Sequence, residues 1–240
     1  MKHRILVRGV SVKGPQHIRS KKSNQDSFMI KDLKCGKVAV VADGMGSCKY
    51  ARAGSRAICE AVCESCEIWS RYKKPQLALL FQMIMNLWYL KISPLPKEQC
   101  KTTCMFVFYN YDGDVIIAQV GDGIIAYKHG DEFNIFFEKE DDFSNETLSV
   151  SKITKLSQWN IKRFNVKKEE RFSLFICTDG ISEDLIPEKR EDFLEALLNL
   201  YKDRSSWKKD ARLPKLLKKW PTPKHGDDKT IVVFHKPEYR

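Results

Sequence analysis

Residues 37–47 read KVAVVADGMGS, an apolar run that closes on Asp43, with glycines at 44 and 46. An Asp-Gly pair is a common hairpin turn, because both residues tolerate the positive φ angles of tight turns. The chain after Gly46 instead repeats apolar side chains at helical spacing, with Ser47 as a candidate N-cap. Asp43 is therefore predicted to end a buried strand, followed by a helix over about residues 48–70.

An ordinary hairpin elsewhere in the chain gives a contrast. Residues 104–120 read CMFVFYNYDGDVIIAQV, where Asp112 and Gly113 separate two runs rich in β-branched and aromatic residues. That pattern predicts two strands joined by a turn. It belongs to a series of strands expected over about residues 102–137.

Further aspartates lie at predicted strand ends. Asp122 and Asp179 each follow an apolar run, Asp26 precedes an early strand, and the pair at 227 and 228 precedes the last one. Each taken alone is an ordinary turn residue. Carboxylates gathered at the ends of buried strands repel one another and are costly to desolvate, so a cation would compensate them. Oxygen ligands without a matching set of histidines favour Mg²⁺ or Mn²⁺ over zinc.

Five segments, in this order, carry a resemblance: SNQDSF, VVADGMGS, VGDG, CTDGIS and DDKTIVV. Together they resemble the type-2C metal-dependent protein serine/threonine phosphatases, most of all the compact bacterial-type branch. The resemblance spans roughly residues 9–234 and implies an α+β fold, a four-layered αββα sandwich of two antiparallel sheets flanked by helices. The predicted order of strands and helices agrees with such layers. A single phosphatase-like domain over residues 1–240 is expected, since no linker or repeat interrupts the chain.

The resemblance also implies a reaction and its residues. The expected activity is hydrolysis of phosphoserine and phosphothreonine in proteins, by direct attack of a water that bridges two Mn²⁺ or Mg²⁺ ions. Asp43 matches the ligand shared by both ions, Asp122 matches a ligand of a third, weaker ion, and Asp26 matches a carboxylate that acts through bound waters. The implied metal-binding set is Asp26, Asp43, Gly44, Asp122, Asp179 and Asp227, of which Asp43, Asp179 and Asp227 are the implied catalytic residues. Asp228 could replace Asp227, although its position fits a supporting residue.

The sequence departs from the family pattern in three places. Gln25 stands where many members have glutamate, and Met45 stands where eukaryotic members often have histidine. Lys21 occupies the usual place of a phosphate-binding arginine, and lysine lacks the bidentate fork of arginine. The candidate phosphate-binding residues are therefore Arg19, Lys21 and Lys22.

Two histidines, His17 and His225, lie near these motifs. Each can be a surface residue or a buried one with its hydrogen bonds satisfied. His17 is also a candidate general acid, since an imidazole titrates near neutral pH.

The eight cysteines allow two interpretations. Cys63 and Cys66 have CxxC spacing and could bind zinc together with Cys100 and Cys104. Alternatively, Cys59, Cys63 and Cys66 recur on the apolar face of one helix, where cysteine acts as a small hydrophobe. Because no export signal is recognised, reduced thiols and a cytoplasmic location are expected.

The net charge is +11, and residues 202–224 contain nine basic and two acidic residues. Such a segment can be a solvated face, a region that steers anionic phosphoproteins, or a surface for nucleic acid or an anionic membrane. A phosphoprotein substrate is the expected partner, nucleic acid is not, and a monomer is expected. Residues 76–90 are interrupted by polar side chains and too short for a membrane span.

Two hypotheses on function remain. The first is a working phosphatase, and the alternative is a catalytically inert phosphatase-like regulatory or binding module. Retention of Asp43, Asp179 and Asp227 favours the enzyme, because an inert module has no physical need for three clustered carboxylates. Residues 138–170 lack clear periodicity and are expected to form a flap beside the site.

Overall fold

In the computed structural model, which describes residues 5–136, 148–200, 211–220 and 226–238, ten strands form two five-stranded sheets. The strands are β1 (Leu6–Val12), β2 (Ser27–Asp32), β3 (Gly36–Ala42), β4 (Cys104–Asn110), β5 (Asp114–Val120), β6 (Ile124–His129), β7 (Glu132–Ile135), β8 (Asn160–Asn165), β9 (Phe172–Cys177) and β10 (Lys229–Lys236). The helices are α1 (Pro15–Arg19), α2 (Ala51–Trp69), α3 (Leu77–Ile92), α4 (Asp179–Ser182), α5 (Arg190–Asn199) and α6 (Arg212–Lys218).

Both sheets are antiparallel throughout. The first, here called sheet I, has the order β1-β10-β9-β6-β7, and sheet II has the order β2-β3-β4-β5-β8. One apolar cluster lies between the helices α2 and α3 and sheet II, another between the sheets, and another between sheet I and the helices α5 and α6. These layers confirm the predicted four-layered sandwich.

The position of β3 shows why residues 38–42 are apolar without interruption. Its residues Val38, Val40 and Ala42 belong to the cluster under the helices, whereas Ala39 and Val41 belong to the cluster between the sheets. Successive side chains of a strand point to opposite faces, so a strand covered on both sides buries every residue. The strand ends where the chain reaches the edge of both clusters, one residue before Asp43.

The cysteines of α2 pack in the core. Cys59, Cys63 and Cys66 are at most 1% exposed and face sheet II, where Cys104 joins the same cluster. Burial raises the pKa of these thiols, and all eight cysteines are free. Among the described residues, no group of metal-ligand atoms within 4.8 Å of one another includes a cysteine. The structure therefore favours the core interpretation over a zinc site.

Two local predictions were wrong. The helix α2 begins at Ala51 with Tyr50 at the N-cap position, because residues 45–48 form a turn closed by the N–H of Cys48 on the Met45 carbonyl. The predicted hairpin is confirmed, since β4 and β5 pair antiparallel, and their 111–113 connection has positive φ only at Gly113. Part of the expected 138–170 flap is the strand β8 and two 3₁₀ turns, while 137–147 lies outside the described residues.

None of the helices in the described ranges is long and apolar enough to cross a bilayer. The 202–224 basic segment is described only over residues 211–220, and His225 lies outside the described part of the chain.

Candidate active site

The predicted carboxylates meet at one edge of the sandwich, because the register of both sheets aligns their strand ends. Ser27 pairs with Ala42 across β2 and β3, so the next residues outward, Asp26 and Asp43, lie opposite one another. In sheet I, Cys177 pairs with Ile231 across β9 and β10, which brings Asp179 to the same edge as the start of β10. Each sheet thus supplies carboxylates to one site.

The backbone of Asp43 is held on both sides. Its N–H donates to Oγ1 of Thr103 at 2.9 Å, and its carbonyl accepts from the N–H of Thr103 at 2.8 Å. The same carbonyl also accepts from Oγ1 of Thr102 at 2.7 Å. These contacts fix Asp43 against the residues that precede β4, so its carboxylate leaves a rigid strand end.

Asp26 is the most deeply buried carboxylate of the predicted set, at 7% exposed. Oγ1 of Thr178 donates to its Oδ2 at 2.9 Å, which joins the residue after β9 of sheet I to the residue before β2 of sheet II. Burial, and to a smaller extent the charge of Asp228, raises the pKa of Asp26 to about 7. The interaction between the side chains of Asp26 and Asp43 lowers the pKa of Asp26 and raises that of Asp43.

The carboxyl of Asp43 is perturbed in the same direction. Burial raises its pKa well above the usual range, and the charges of Asp26 and Asp179 add to this effect. Burial raises the pKa of Asp179 to about 6, with further contributions from the charges of Asp122 and Asp227. The five predicted carboxylates therefore interact electrostatically, namely Asp26, Asp43, Asp122, Asp179 and Asp227. In the absence of a cation, part of their charge is suppressed by protonation.

Asp227 and Asp228 are neighbours with different environments. The side chain of Asp227 is 41% exposed, whereas that of Asp228 is 2% exposed. Asp228 accepts from the N–H groups of Gly14 and Gln25 at 2.8 and 2.7 Å, and Nδ1 of His17 lies 2.8 Å from its Oδ2. Asp228 therefore serves as a bridge between segments, in agreement with the predicted supporting role.

His17 lies at the site, beside both of these aspartates. Its side chain is 8% exposed, and Nδ1 lies 3.7 Å from Oδ1 of Asp227. Among the described residues, His17, Asp227 and Asp228 form the one group of three ligand atoms within 4.8 Å of one another. The sequence gives little indication that these three residues meet, because His17 and Asp228 are 211 residues apart.

Gly44 packs where no side chain fits. A Cβ on Gly44 would lie 2.5 Å from the Ala51 carbonyl oxygen and 2.8 Å from that of Gln25. The glycine thus lets the strand end approach the start of α2. Oε1 of Gln25 is buried here and has no hydrogen-bond partner among the described residues, and a Cβ on Gly46 would lie 3.6 Å from it. Carboxylates, a carbonyl and an unpaired amide oxygen form a donor set that fits a hard divalent cation.

The predicted phosphate-binding residues are exposed and lie at different distances from the carboxylates. Nζ of Lys22 donates to the carbonyl of Gly46 at 3.3 Å, which places it beside the loop after Asp43. Nη2 of Arg19 lies 3.8 Å from the position of a Cβ on Gly226, next to Asp227. Lys21 has a left-handed backbone with φ of 56° and no described contact with the site.

Lys229, which was not among the predicted site residues, is 2% exposed at the start of β10. Its Nζ donates to the backbone carbonyl of Asp227 at 3.1 Å. Burial lowers its pKa, and the charges of Asp184 and Asp227 act in the opposite direction. A lysine that opens an apolar strand directly after two aspartates was the available signal. The buried ammonium holds the segment that carries Asp227.

Comparison with known proteins identifies the family. The sequence model described as Protein phosphatase 2C matches residues 13–219. The chain belongs to this family. The members of the protein phosphatase 2C family are metal-dependent serine/threonine phosphatases. No curated protein sequence matches the chain.

Solved structures share the protein phosphatase 2C fold at low sequence identity. The catalytic domain of the serine threonine protein phosphatase PstP, in complex with two manganese ions, has a TM-score of 0.62 at 18% identity, covering 96% of this chain and 98% of that one. RsbX in complex with magnesium has a TM-score of 0.59 at 18% identity, covering 99% and 98%. A SpoIIE structure from Bacillus subtilis with the PP2C phosphatase domain and a regulatory fragment has a TM-score of 0.62 at 15% identity, covering 99% and 64%.

Proposed function

We propose that this chain is a metal-dependent phosphatase that hydrolyses phosphoserine and phosphothreonine in proteins, within a single phosphatase-like domain. The observation that carries the proposal is the convergence of Asp43 and Asp179, from the central strands of two sheets, in one cluster of carboxylates with raised pKa values. Such clustering is costly unless a cation binds. The relatives PstP and RsbX, which were solved with manganese and magnesium, support Mn²⁺ or Mg²⁺ as that cation.

In this proposal Asp43, Gly44, Asp179 and Asp227 hold two ions, Asp122 contributes to a third, and Asp26 acts through bound water. When bound, the ions supply an acidified water and compensate the charge on the transferring phosphoryl group. The chain's own contribution is rigidity: Asp43 is fixed by Thr103, and the segment of Asp227 is fixed by the ammonium of Lys229. Fixed ligands need no reorganisation during the reaction.

The groups around the cluster have separate roles in the proposal. Arg19 and Lys22 attract the phosphate of the substrate, and Lys21 adds positive charge at a greater distance. His17 has Nδ1 at 2.8 Å from Asp228, so the role of proton donor to the leaving alkoxide would fall to Nε2. The same contact also lets His17 position the 227–228 pair.

We further propose a cytoplasmic location and a monomeric state. The eight free cysteines support a reducing compartment.

Hydrolysis of a phosphoserine peptide, measured as released phosphate with and without Mn²⁺, tests the function. The proposal expects turnover with millimolar Mn²⁺ or Mg²⁺ and its loss after addition of excess EDTA. Full activity in EDTA after dialysis would contradict the metal dependence. Absence of turnover under all metal conditions, in a protein that still melts cooperatively, would instead favour an inert regulatory module.

A further inference from the structure

A cavity lies directly beside the carboxylate cluster. It has a volume of about 290 Å³ and lies between β2 and the first turns of α2. Asp26 forms part of its wall, so the cavity and the candidate active site share one residue. Arg52 and Arg56, one helical turn apart on α2, line the cavity on the other side, and both are exposed.

The charged groups of this cavity are suited to an anion. Nε of Arg56 pairs with Glu60 at 3.1 Å, whereas the guanidinium of Arg52 makes no hydrogen bond or ion pair with the described residues. The carboxylate of Asp26 already accepts a hydrogen bond from Oγ1 of Thr178. A guanidinium presents a fork of donors that matches a carboxylate. The available recognition groups are therefore the two arginines.

The walls of the cavity are tied together by short hydrogen bonds. Oγ of Ser55 donates to the Gln25 carbonyl at 2.6 Å and lies 3.0 Å from Oγ of Ser27. These contacts hold the first turns of α2 against the residues on either side of Asp26. The helix backbone that carries the arginines thus keeps a fixed position relative to the carboxylate cluster, and the cavity does not need to form on binding.

We propose that this cavity is a subsite for an acidic side chain of the phosphoprotein substrate, near in sequence to the phosphorylated residue. The inference rests on the proposed function and specifies its substrate class. Phe28 and Met29 line the same cavity and suit the methylene groups of a glutamate side chain. A protein with a net charge of +11 also favours acidic partners at long range.

The test compares two fluorescent peptides that carry a non-hydrolysable phosphonate analogue of phosphoserine, flanked by glutamates in one and by glutamines in the other. The wild-type protein with Mn²⁺ should bind the glutamate peptide about fivefold more tightly, since a partly exposed charge pair changes affinity by about twofold to fivefold. The Arg52→Ala/Arg56→Ala variant should lose this preference. The single Arg52→Glu variant should reverse it.

Arg71→Ala is the matched control, because Arg71 is also exposed and pairs with Glu67 at 2.9 Å but does not line the cavity. It should keep the wild-type preference. Equal binding of both peptides by the wild type, or a preference that survives loss of both cavity arginines, would overturn the subsite. Hydrolysis of a small aryl phosphate by the wild type tests the proposed function separately. Because the subsite is tested by the ratio of two peptide affinities, that test is decisive even if the protein shows no hydrolysis.

Discussion

Nδ1 of His17 lies 2.8 Å from Oδ2 of Asp228, and the same carboxylate accepts the backbone N–H groups of Gly14 and Gln25. One buried side chain thus joins the segment before α1, the residue before Asp26 and the start of β10. Its neighbour Asp227 is 41% exposed and points to a different environment. Of these two adjacent aspartates, Asp228 therefore supports the fold, and Asp227 has the proposed role in metal binding.

Alanine at each of these aspartates should give opposite results. Asp228→Ala leaves buried donors without partners, so the free energy of unfolding should fall by about 3 kcal/mol. Asp227→Ala should change it by less than about 1 kcal/mol, as expected for a partly exposed residue, yet lower Mn²⁺-dependent hydrolysis at least about a hundredfold. Urea unfolding in EDTA and phosphopeptide turnover in Mn²⁺ measure the two effects. Equal losses of stability in the two variants would contradict this division.

The metal-free protein should lose stability as the pH rises. Burial raises the pKa of Asp26 to about 7 and that of Asp179 to about 6 in the folded protein. Between about pH 4 and pH 7 the folded state then binds more protons than the unfolded state, so the free energy of unfolding decreases with increasing pH. Thermal melts in EDTA should give a higher Tm at pH 5 than at pH 7.5.

Asp26→Asn isolates the contribution of one group to this slope. The variant cannot titrate at that position, so its Tm should depend less on pH than that of the wild type. Asp112→Asn, at the exposed hairpin, is the control and should keep the wild-type slope. An unchanged slope in Asp26→Asn would show that the buried carboxylate does not govern the pH response.

Two glycines of the 43–47 loop should respond differently to alanine. A Cβ on Gly44 would lie 2.5 Å from the Ala51 carbonyl oxygen, so the strand end or the helix must shift. Gly44→Ala should therefore lower both the Tm and the turnover, the latter at least about tenfold by displacement of the metal ligands. On Gly46 the nearest atom to a Cβ is 3.6 Å away, and Gly46→Ala should keep the wild-type Tm to within about 2 °C. A Gly44→Ala variant with the properties of Gly46→Ala would contradict the tight packing described.

The sequence predicts the parts of this fold in which local pattern and burial agree. The run at 38–42 is apolar on both faces because β3 lies between a helical layer and the other sheet. The strand β8 was not predicted, because it is an edge strand with exposed Lys162 and Arg163 and its composition is not typical of a strand. Its hydrogen-bonded pairing with β5 holds it in the sheet. Ser47 has a residue type that is common at N-cap positions, but residues 45–48 form a turn and the helix begins only at Ala51.

The candidate site was predictable to the extent that its residues end strands. Motif order placed Asp43 and Asp179 together, and the register of β2 against β3 explains why Asp26 faces Asp43. Contacts between distant segments were not predictable from spacing. The hydrogen bond from the ammonium of Lys229 to the Asp227 carbonyl depends on how sheet I packs at its edge, and no periodic pattern in the sequence predicts it.

The central claim is that Asp43 is a metal ligand and not a turn residue. Asp43→Asn preserves the shape of the side chain and removes its charge, so the fold should remain, with a Tm at least equal to that of the wild type in EDTA because like-charge repulsion decreases. Asp112→Asn is the matched control, since Asp112 also precedes a glycine and its Oδ1 accepts from the N–H of Asp114, which asparagine can also do.

The most direct measurement is the turnover of a phosphoserine peptide by both variants at saturating Mn²⁺, with thermal melts to confirm folding. The account predicts that Asp43→Asn lowers kcat at least about a hundredfold, which corresponds to some 3 kcal/mol of lost electrostatic stabilisation. Asp112→Asn should remain within about twofold of the wild type. A folded Asp43→Asn protein with near-normal turnover would contradict the claim that this carboxylate binds the catalytic metal.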